Sequence, residues 1–579
     1  MITVEKLSFS FPLKELYDEI SFTIENGQHC AFIGSSGSGK STLIDMIMDT
    51  EKYLYDGQIN IDPNCRIGYV SQFYKSEKES DLTVFEYVAQ DFSRIQDEIT
   101  AICKEMETSS DIEPLLEKYQ LALDSLEAIG GDDFESLIEK KLNLADLGNQ
   151  RNLKIGSLSG GEFKLIQVIK EMLNSPNLLI MDEPDVFLDF ENLTSLKNLI
   201  NSYKGMILVI THNRYILNHC FNKILHLENK ELNEFEGTYI DYNLSLLQTK
   251  IELQEQSIAD DEEIERNEAL VNRLRFIATH NAEAARGKAL KARVKYQERL
   301  VARRTKAPFV DIKQPKIKLQ TDSVPEDVIA LRLEDYDVAF DEALLHGVSF
   351  EIKSTDKVAL IGPNGTGKTT VLREIFNQSH DGIFVHEDIE MAYLSQKQGE
   401  TLNENNSLRQ EFVDLGFTSH RDIRFHLYGF GFKPDMLDQK ISDLSGGEKN
   451  ILQLAKLSAG NANLLLLDEP TSHLDTYSQI ALDRAIENYP GAVLMISHDF
   501  YSIANCMDYV LLIEDKGIRK VSMRKFRKTI YKKHFDKDYL EIEQRKKEVE
   551  TKVALALKAK DFEKAQKWVD KLDALIQKL

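Results

Sequence analysis

Two stretches of this 579-residue chain have the make-up of a phosphate cradle. The first runs Gly34, Ser35, Ser36, Gly37, Ser38, Gly39, Lys40, Ser41 and Thr42; the second runs Gly362, Pro363, Asn364, Gly365, Thr366, Gly367, Lys368, Thr369 and Thr370. Each follows an apolar run of strand character, Cys30 to Ile33 or Val358 to Ile361, and opens a helical pattern. In that setting the glycines let backbone N–H groups and a helix N-terminus face phosphate oxygens. Lys40 or Lys368 then neutralises β/γ charge, and Ser41 or Thr369 offers a hydroxyl to Mg²⁺. One such stretch alone could be a glycine-rich turn, but two with matching motifs downstream cannot be dismissed that way.

The downstream matches define an internal repeat. Leu158-Ser159-Gly160-Gly161-Glu162 recurs as Leu444-Ser445-Gly446-Gly447-Glu448, and Asp182-Glu183-Pro184 recurs as Asp468-Glu469-Pro470. His212 recurs as His498, and Gln72 as Gln396. The offset is 324 at the glutamine and 286 afterwards, so the first copy carries 38 additional residues. They are expected to form a helical insertion at about 85–145, broken at Ser109-Ser110-Asp111 and at Gly130-Gly131. Leu178 to Met181 and Leu464 to Leu467 read as buried parallel strands that end in Asp-Glu. Carboxylates at that strand end suit Mg²⁺ (Asp182, Asp468) and polarisation of an attacking water (Glu183, Glu469). The fold expected is α/β, with two tandem P-loop nucleotide-binding domains.

Phosphate loop, glutamine, LSGGE, Asp-Glu-Pro and histidine together resemble the nucleotide-binding domain of ATP-binding cassette proteins. Two cassettes on one chain, joined by a long charged helical linker, resemble the ABC-F group of ribosome-acting ATPases. The resemblance implies a head-to-tail sandwich holding two ATPs. One would lie between Gly34–Ser41 and Ser445, Gly446 and Gly447; the other between Gly362–Thr369 and Ser159, Gly160 and Gly161. It further implies that Phe11 and Phe340 stack on adenine, although an aromatic there could equally be core. Gln72 and Gln396 would sense Mg²⁺ and water, and His212 and His498 would contact the γ-phosphate. One segment departs from the pattern: Asp185-Val186-Phe187-Leu188-Asp189 stands where the second copy has Thr471-Ser472-His473-Leu474-Asp475. This departure is similar to the branch that protects ribosomes from lincosamides, streptogramin A and pleuromutilins.

Between the cassettes, about Asn243 to Lys306 contains a single glycine, Gly287, and no proline, so it reads as a helical hairpin. Ile264, Asn267, Val271, Leu274 and Ala278, and then Leu290, Val294, Gln297 and Val301, have the 3-4 spacing of a seam. Residues 271–306 hold eleven Lys/Arg against two acids. Near the turn, Arg273, Arg275, Phe276, His280, Asn281, Arg286, Lys288 and Lys291 combine cations with an aromatic, which suits RNA phosphates and base stacking. A second basic cluster, Lys516 to His534, has nine Lys/Arg and no acid. The expected organisation is a first cassette at 1–240, a hairpin linker at 241–310, a second cassette at 328–515 and a basic helical extension at 516–579.

The whole chain nevertheless has a formal charge of −24, with 71 Lys+Arg and 95 Asp+Glu. Since the two basic segments carry +9 each, everything else carries −42. An acidic body would be repelled by RNA except where those segments touch it. No apolar run approaches the roughly 18–20 residues that cross a bilayer, which excludes a self-contained transporter. The five scattered cysteines form no CxxC pair, and the first residues lack a basic-then-apolar leader. A cytoplasmic location without a membrane partner is therefore expected; the resemblance implies a monomeric ATPase with ATP and Mg²⁺ as cofactors and the 70S-type ribosome, with its ribosomal RNA and P-site transfer RNA, as partner, and no DNA. The leading expectation is ribosome protection against antibiotics, the linker tip reaching toward the peptidyl-transferase centre. A housekeeping factor for stalled ribosomes is the alternative, and an exporter ATPase subunit is the alternative of another class.

Overall fold

The computed structural model describes all residues except 12–13, 64, 72–80, 109–111, 187, 281–283, 304–314, 322, 326–327, 340–342, 535–547, 550–551, 554, 558, 560 and 577–579. The chain divides into two compact units. One holds Met1–Phe235 and Lys313–His534, the other Glu236–Ile312 and Phe535–Leu579.

The first unit contains two α/β cassettes of the same topology. In the first, the sheet order is Ile67–Val70, Leu178–Asp182, Met206–Ile210, His29–Ile33, Lys223–Glu228, Glu231–Glu236, and the first five of these strands run parallel. In the second it is Met391–Leu394, Leu464–Asp468, Ala492–Ile496, Lys357–Ile361, Tyr509–Glu514, Gly517–Ser522. The central strands are buried along their whole length, as a parallel sheet covered on both faces requires, which is why they read as unbroken apolar runs. A three-stranded antiparallel sheet accompanies each: Lys14–Ile24, Ile2–Phe11, Asp56–Ile61 in the first, and Ala343–Lys353, Ile329–Ala339, Ile383–Val385 in the second.

The additional residues of the first cassette fall in the helices Val84–Val88, Gln90–Thr108, Glu113–Ala128 and Phe134–Leu144. Thr83 and Glu86 close the first of these with a reciprocal capping box. Gly130 ends the third with φ 112°, a left-handed conformation that glycine adopts without steric cost. The corresponding part of the second cassette has Leu408–Asp414 and His420–Gly429.

The second unit is built on the helices Tyr239–His280 and Ala284–Arg303. Asn267 and Val271 are buried, and so is Leu300, which the spacing had passed over in favour of Val301. Asn267 anchors the seam: its amide donates to Gln297 Oε1, and its Oδ1 accepts from Arg293 at 3.2 Å. Tyr296 adds a hydroxyl bond to Glu263 at 2.7 Å. A polar pair inside an apolar seam fixes register, since any slip strands a buried amide. Lower on the first helix, Leu244 and Ile251 join one apolar cluster with Val549, Val553, Ala556, Leu557, Ala565, Val569 and Leu572. The apolar positions of the last helix, Phe562–Ile576, thus find their partner within the chain.

Leu572→Ala should cost about 2–5 kcal/mol of local stability through the cavity it leaves. Hydrogen exchange should show faster exchange at 244–251 and 549–576 than in the wild type, with the cassette cores unchanged.

Candidate functional site

Each phosphate loop is held by its own lysine. Lys40 Nζ donates to the Gly34 and Ser35 carbonyls at 2.9 and 3.0 Å, and Lys368 Nζ to those of Gly362 and Pro363 at 2.8 and 2.7 Å. Both ammonium groups are buried, which lowers their pKa, while the Asp-Glu carboxylates of the adjacent strand pull it back up. At Gly39 the backbone takes φ 106°, and a Cβ there would lie 2.9 Å from Tyr17 Oη, so the turn into the helix Lys40–Met48 requires glycine.

The Ser and Glu of LSGGE turn out to be a helix start. Ser159 and Ser445 are N-caps, with Glu162 and Glu448 completing capping boxes at the heads of Gly160–Leu173 and Gly446–Ser458. The signature therefore presents a rigid helix N-terminus. That of the second cassette faces the first phosphate loop: Ser36 Oγ is 3.5 Å from Ser445 Oγ. A Cβ at Gly447 would lie 2.8 Å from Ser36 Oγ and 2.6 Å from the His473 carbonyl. Ser159, Gly160 and Gly161 line a cavity of about 650 Å³ together with Asn364, Gly365, Gly367, Lys368, Thr369 and Thr370. Gln396, Asp468, Glu469 and His498 line it too, as do Glu183 and His212.

Two aspartates bind the cassettes reciprocally. Asp475 caps Thr476–Asn488 through Oδ1 and accepts the Ser36 N–H on Oδ2 at 3.2 Å. Asp189 caps Phe190–Ser202 through Oδ1 and accepts the Asn364 N–H on Oδ2 at 3.3 Å.

Glu183 and Glu469 share a left-handed backbone, φ 46° and 48°, at the ends of their strands, an outlier of the kind that clusters at functional sites. Their surroundings differ. Burial pushes the Glu183 carboxyl up, but the hydrogen bond from His473, with the Lys40 ammonium behind, overcomes that and lowers it to about 2. That bond, His473 Nδ1 to Glu183 Oε2, is 3.0 Å long and joins the two cassettes. Glu469 Oε2 accepts the His498 N–H of its own cassette at 3.3 Å. Its Oε1 is buried without a hydrogen-bond partner among the described residues, and burial with the neighbouring Asp468 raises its pKa. Burial lowers the pKa of both His212 and His498, so both rings are neutral near pH 7.

Asp182 and Asp468 are each pushed up to about 6, chiefly by burial. Both carboxylate oxygens of Asp468 lack hydrogen-bond partners among the described residues. A buried carboxylate left in this state fits a hard divalent cation, with Thr369 as its hydroxyl companion; Asp182 beside the Ser41 hydroxyl is the equivalent pair of the first cassette.

A family model described as ABC transporter matches residues 17–186 and 345–472. The chain belongs to that family. Its two cassettes bind and hydrolyse ATP, and it is an ATPase of the ABC-F kind. No helix among the described residues is long and apolar enough to cross a membrane. It is similar to the uncharacterized ABC transporter ATP-binding protein YfmM of Bacillus subtilis, 29% identical over 526 residues, 86% of this chain and 96% of that one. It is also similar to the energy-dependent translational throttle protein EttA of Haemophilus influenzae, 28% identical over 525 residues, 87% of this chain and 90% of that one. ABC transporter F family member 2 of Arabidopsis thaliana is 28% identical over 549 residues, covering 89% and 77%. Among solved structures, an archaeal ribosome recycling factor, aABCE1, in complex with a ribosomal stalk protein shares the fold, with a TM-score of 0.56 at 17% identity over 91% of this chain and 92% of that one.

In this ABC-F ATPase, Phe11 ends the strand Ile2–Phe11, 42% exposed, with its ring edge-on to Phe9 at 5.0 Å. Gln72, Phe340 and Asn281 lie outside the described residues. Arg273, Arg275 and Lys291 are exposed on their helices; Phe276, His280, Arg286 and Lys288 are helical. Sequence reasoning missed His473 and also Glu228, which accepts both the N–H and the hydroxyl of Ser35, at 3.0 and 2.9 Å. No local pattern announces either contact.

Gly447→Ala should push the second signature away from Ser36 and lower steady-state ATP turnover more than Gly446→Ala, whose Cβ would meet nothing closer than 3.6 Å.

Proposed function

We propose that this ATPase is a translation factor that binds the ribosome with two ATPs enclosed and leaves after hydrolysis. The observation that carries the reading is the basic end of the hairpin, where Arg273, Arg275 and Lys291 stand exposed on a chain that is otherwise strongly acidic. The naming of relatives as translational throttle proteins supports a factor for stalled ribosomes over antibiotic protection. Ribosome protection remains the second reading, favoured by the sequence Asp185-Val186-Phe187-Leu188-Asp189. An exporter subunit would leave the basic tip without a role.

At each site the phosphate loop and its lysine would hold the β- and γ-phosphates, with the signature helix of the other cassette closing over them. Ser41 and Asp182, with Gln72, would hold Mg²⁺ at one site, and Thr369 and Asp468, with Gln396, at the other; the ion neutralises phosphate charge when bound. Glu183 or Glu469 would accept a proton from water as its oxygen attacks the γ-phosphorus and the bond to the β–γ bridging oxygen breaks, giving ADP and phosphate. His212 and His498, neutral, would donate to the γ-phosphate. Closure on ATP supplies the differential affinity a ligand-driven switch needs.

The double variant Glu183→Gln/Glu469→Gln should lose about 10²–10⁴-fold in turnover and co-sediment with ribosomes in ATP and Mg²⁺. Arg273→Ala/Arg275→Ala/Lys291→Ala in that background should weaken co-sedimentation and flatten its salt dependence. Absence of the double variant from the ribosome pellet would refute the reading. Inhibitory concentrations of lincosamides and pleuromutilins for cells with and without the protein separate the two versions, an increase favouring protection.

A further inference from the structure

The two glutamates are placed alike by the backbone but supported unequally. Glu183 receives a ring N–H from the opposite cassette, His473 Nδ1 to Oε2 at 3.0 Å, and a carboxylate partner requires that nitrogen to carry the proton. His473 is itself held in a left-handed turn, φ 59°, two residues before Asp475, whose bond to Ser36 fixes the segment against the first phosphate loop. At the second site, Glu469 has, among the described residues, only its own cassette's His498: the backbone N–H at 3.3 Å on one oxygen, and Nε2 at 3.4 Å from the other without forming a hydrogen bond. The position that corresponds to His473 is Phe187, which lies outside the described residues and whose side chain has no nitrogen to donate. Phe190, three residues on, instead sets its ring edge-on to His498 at 5.9 Å.

We propose that His473 is a positioning residue acting across the cassettes, orienting the Glu183 carboxylate toward the attacking water, so that the site formed by the first phosphate loop and the second signature is the faster of the two. The inference rests on the reading of Glu183 and Glu469 as the proton-accepting groups. It couples hydrolysis to closure, because the support reaches Glu183 only while the second cassette lies against the first.

The test is ATP hydrolysis by the full chain without ribosomes, one site at a time, using Glu469→Gln to isolate the first site and Glu183→Gln to isolate the second, with single-turnover rates for slow variants. His473→Phe should lower kcat at the first site by about tenfold or more, a part of the roughly 10²–10⁴-fold that general-base assistance contributes, with a smaller change in KM. His473→Gln, which keeps an N–H, should restore part of the loss. The same His473→Phe change should cost the second site several-fold less. Equal losses at both sites would reduce His473 to a packing residue, and no loss, or a gain, at the first site would overturn the proposal. Should Glu183→Gln and Glu469→Gln each leave turnover at the wild-type level, the assignment of the glutamates fails, independently of His473.

Discussion

Everything at the candidate sites depends on two aspartates that each serve two masters. A helix start needs an acceptor for its free N–H groups, and Asp189 and Asp475 supply one oxygen each for that purpose. The second oxygen is then fixed in direction and meets a backbone N–H of the opposite phosphate loop. Charge-assisted bonds of this kind contribute about 1.5–3 kcal/mol apiece. They are too weak to weld the cassettes and strong enough to set their register. The signature helices, capped by Ser159 and Ser445, inherit that register and so arrive at the loops in the correct frame.

Within this near-symmetric frame the asymmetries are local and chemical. One loop carries Ser35, bound at both its N–H and its hydroxyl by Glu228; the other carries Pro363, which has no N–H to give. One glutamate is hydrogen-bonded by an imidazole of the opposite cassette, whereas the imidazole beside the other belongs to its own cassette and forms no hydrogen bond to it. The repeat supplies two equal frames, and single side chains distinguish their surroundings.

Most of the fold was legible because its signals are local. Strands such as Leu464–Asp468 are apolar throughout since both faces are covered, and the phosphate loops announce themselves through glycine spacing. The change in repeat offset located the additional residues of the first copy, and the paired glycines Gly130-Gly131 marked the end of one of their helices, while the break expected at 109–111 lies outside the described residues. What stayed hidden depends on pairs remote in sequence. His473 and Glu183 are 290 residues apart, and nothing near either names the other. The function of Glu162 and Glu448 as caps was present in the spacing, yet masked by reading LSGGE as a single recognition word. The C-terminal apolar stripe was visible, but its partner, Leu244 and Ile251, lay on the far side of an entire cassette in sequence.

That last cluster has a bearing on how the protein is made. Leu244 and Ile251 emerge from synthesis well before Val549, Val553 and Leu572, with the whole second cassette translated in between. The base of the hairpin must wait, its apolar face uncovered, until the closing segment arrives. The base of the hairpin is thus the last part of it to be covered, and a prematurely terminated product would retain both cassettes while lacking the segment that packs on Leu244 and Ile251.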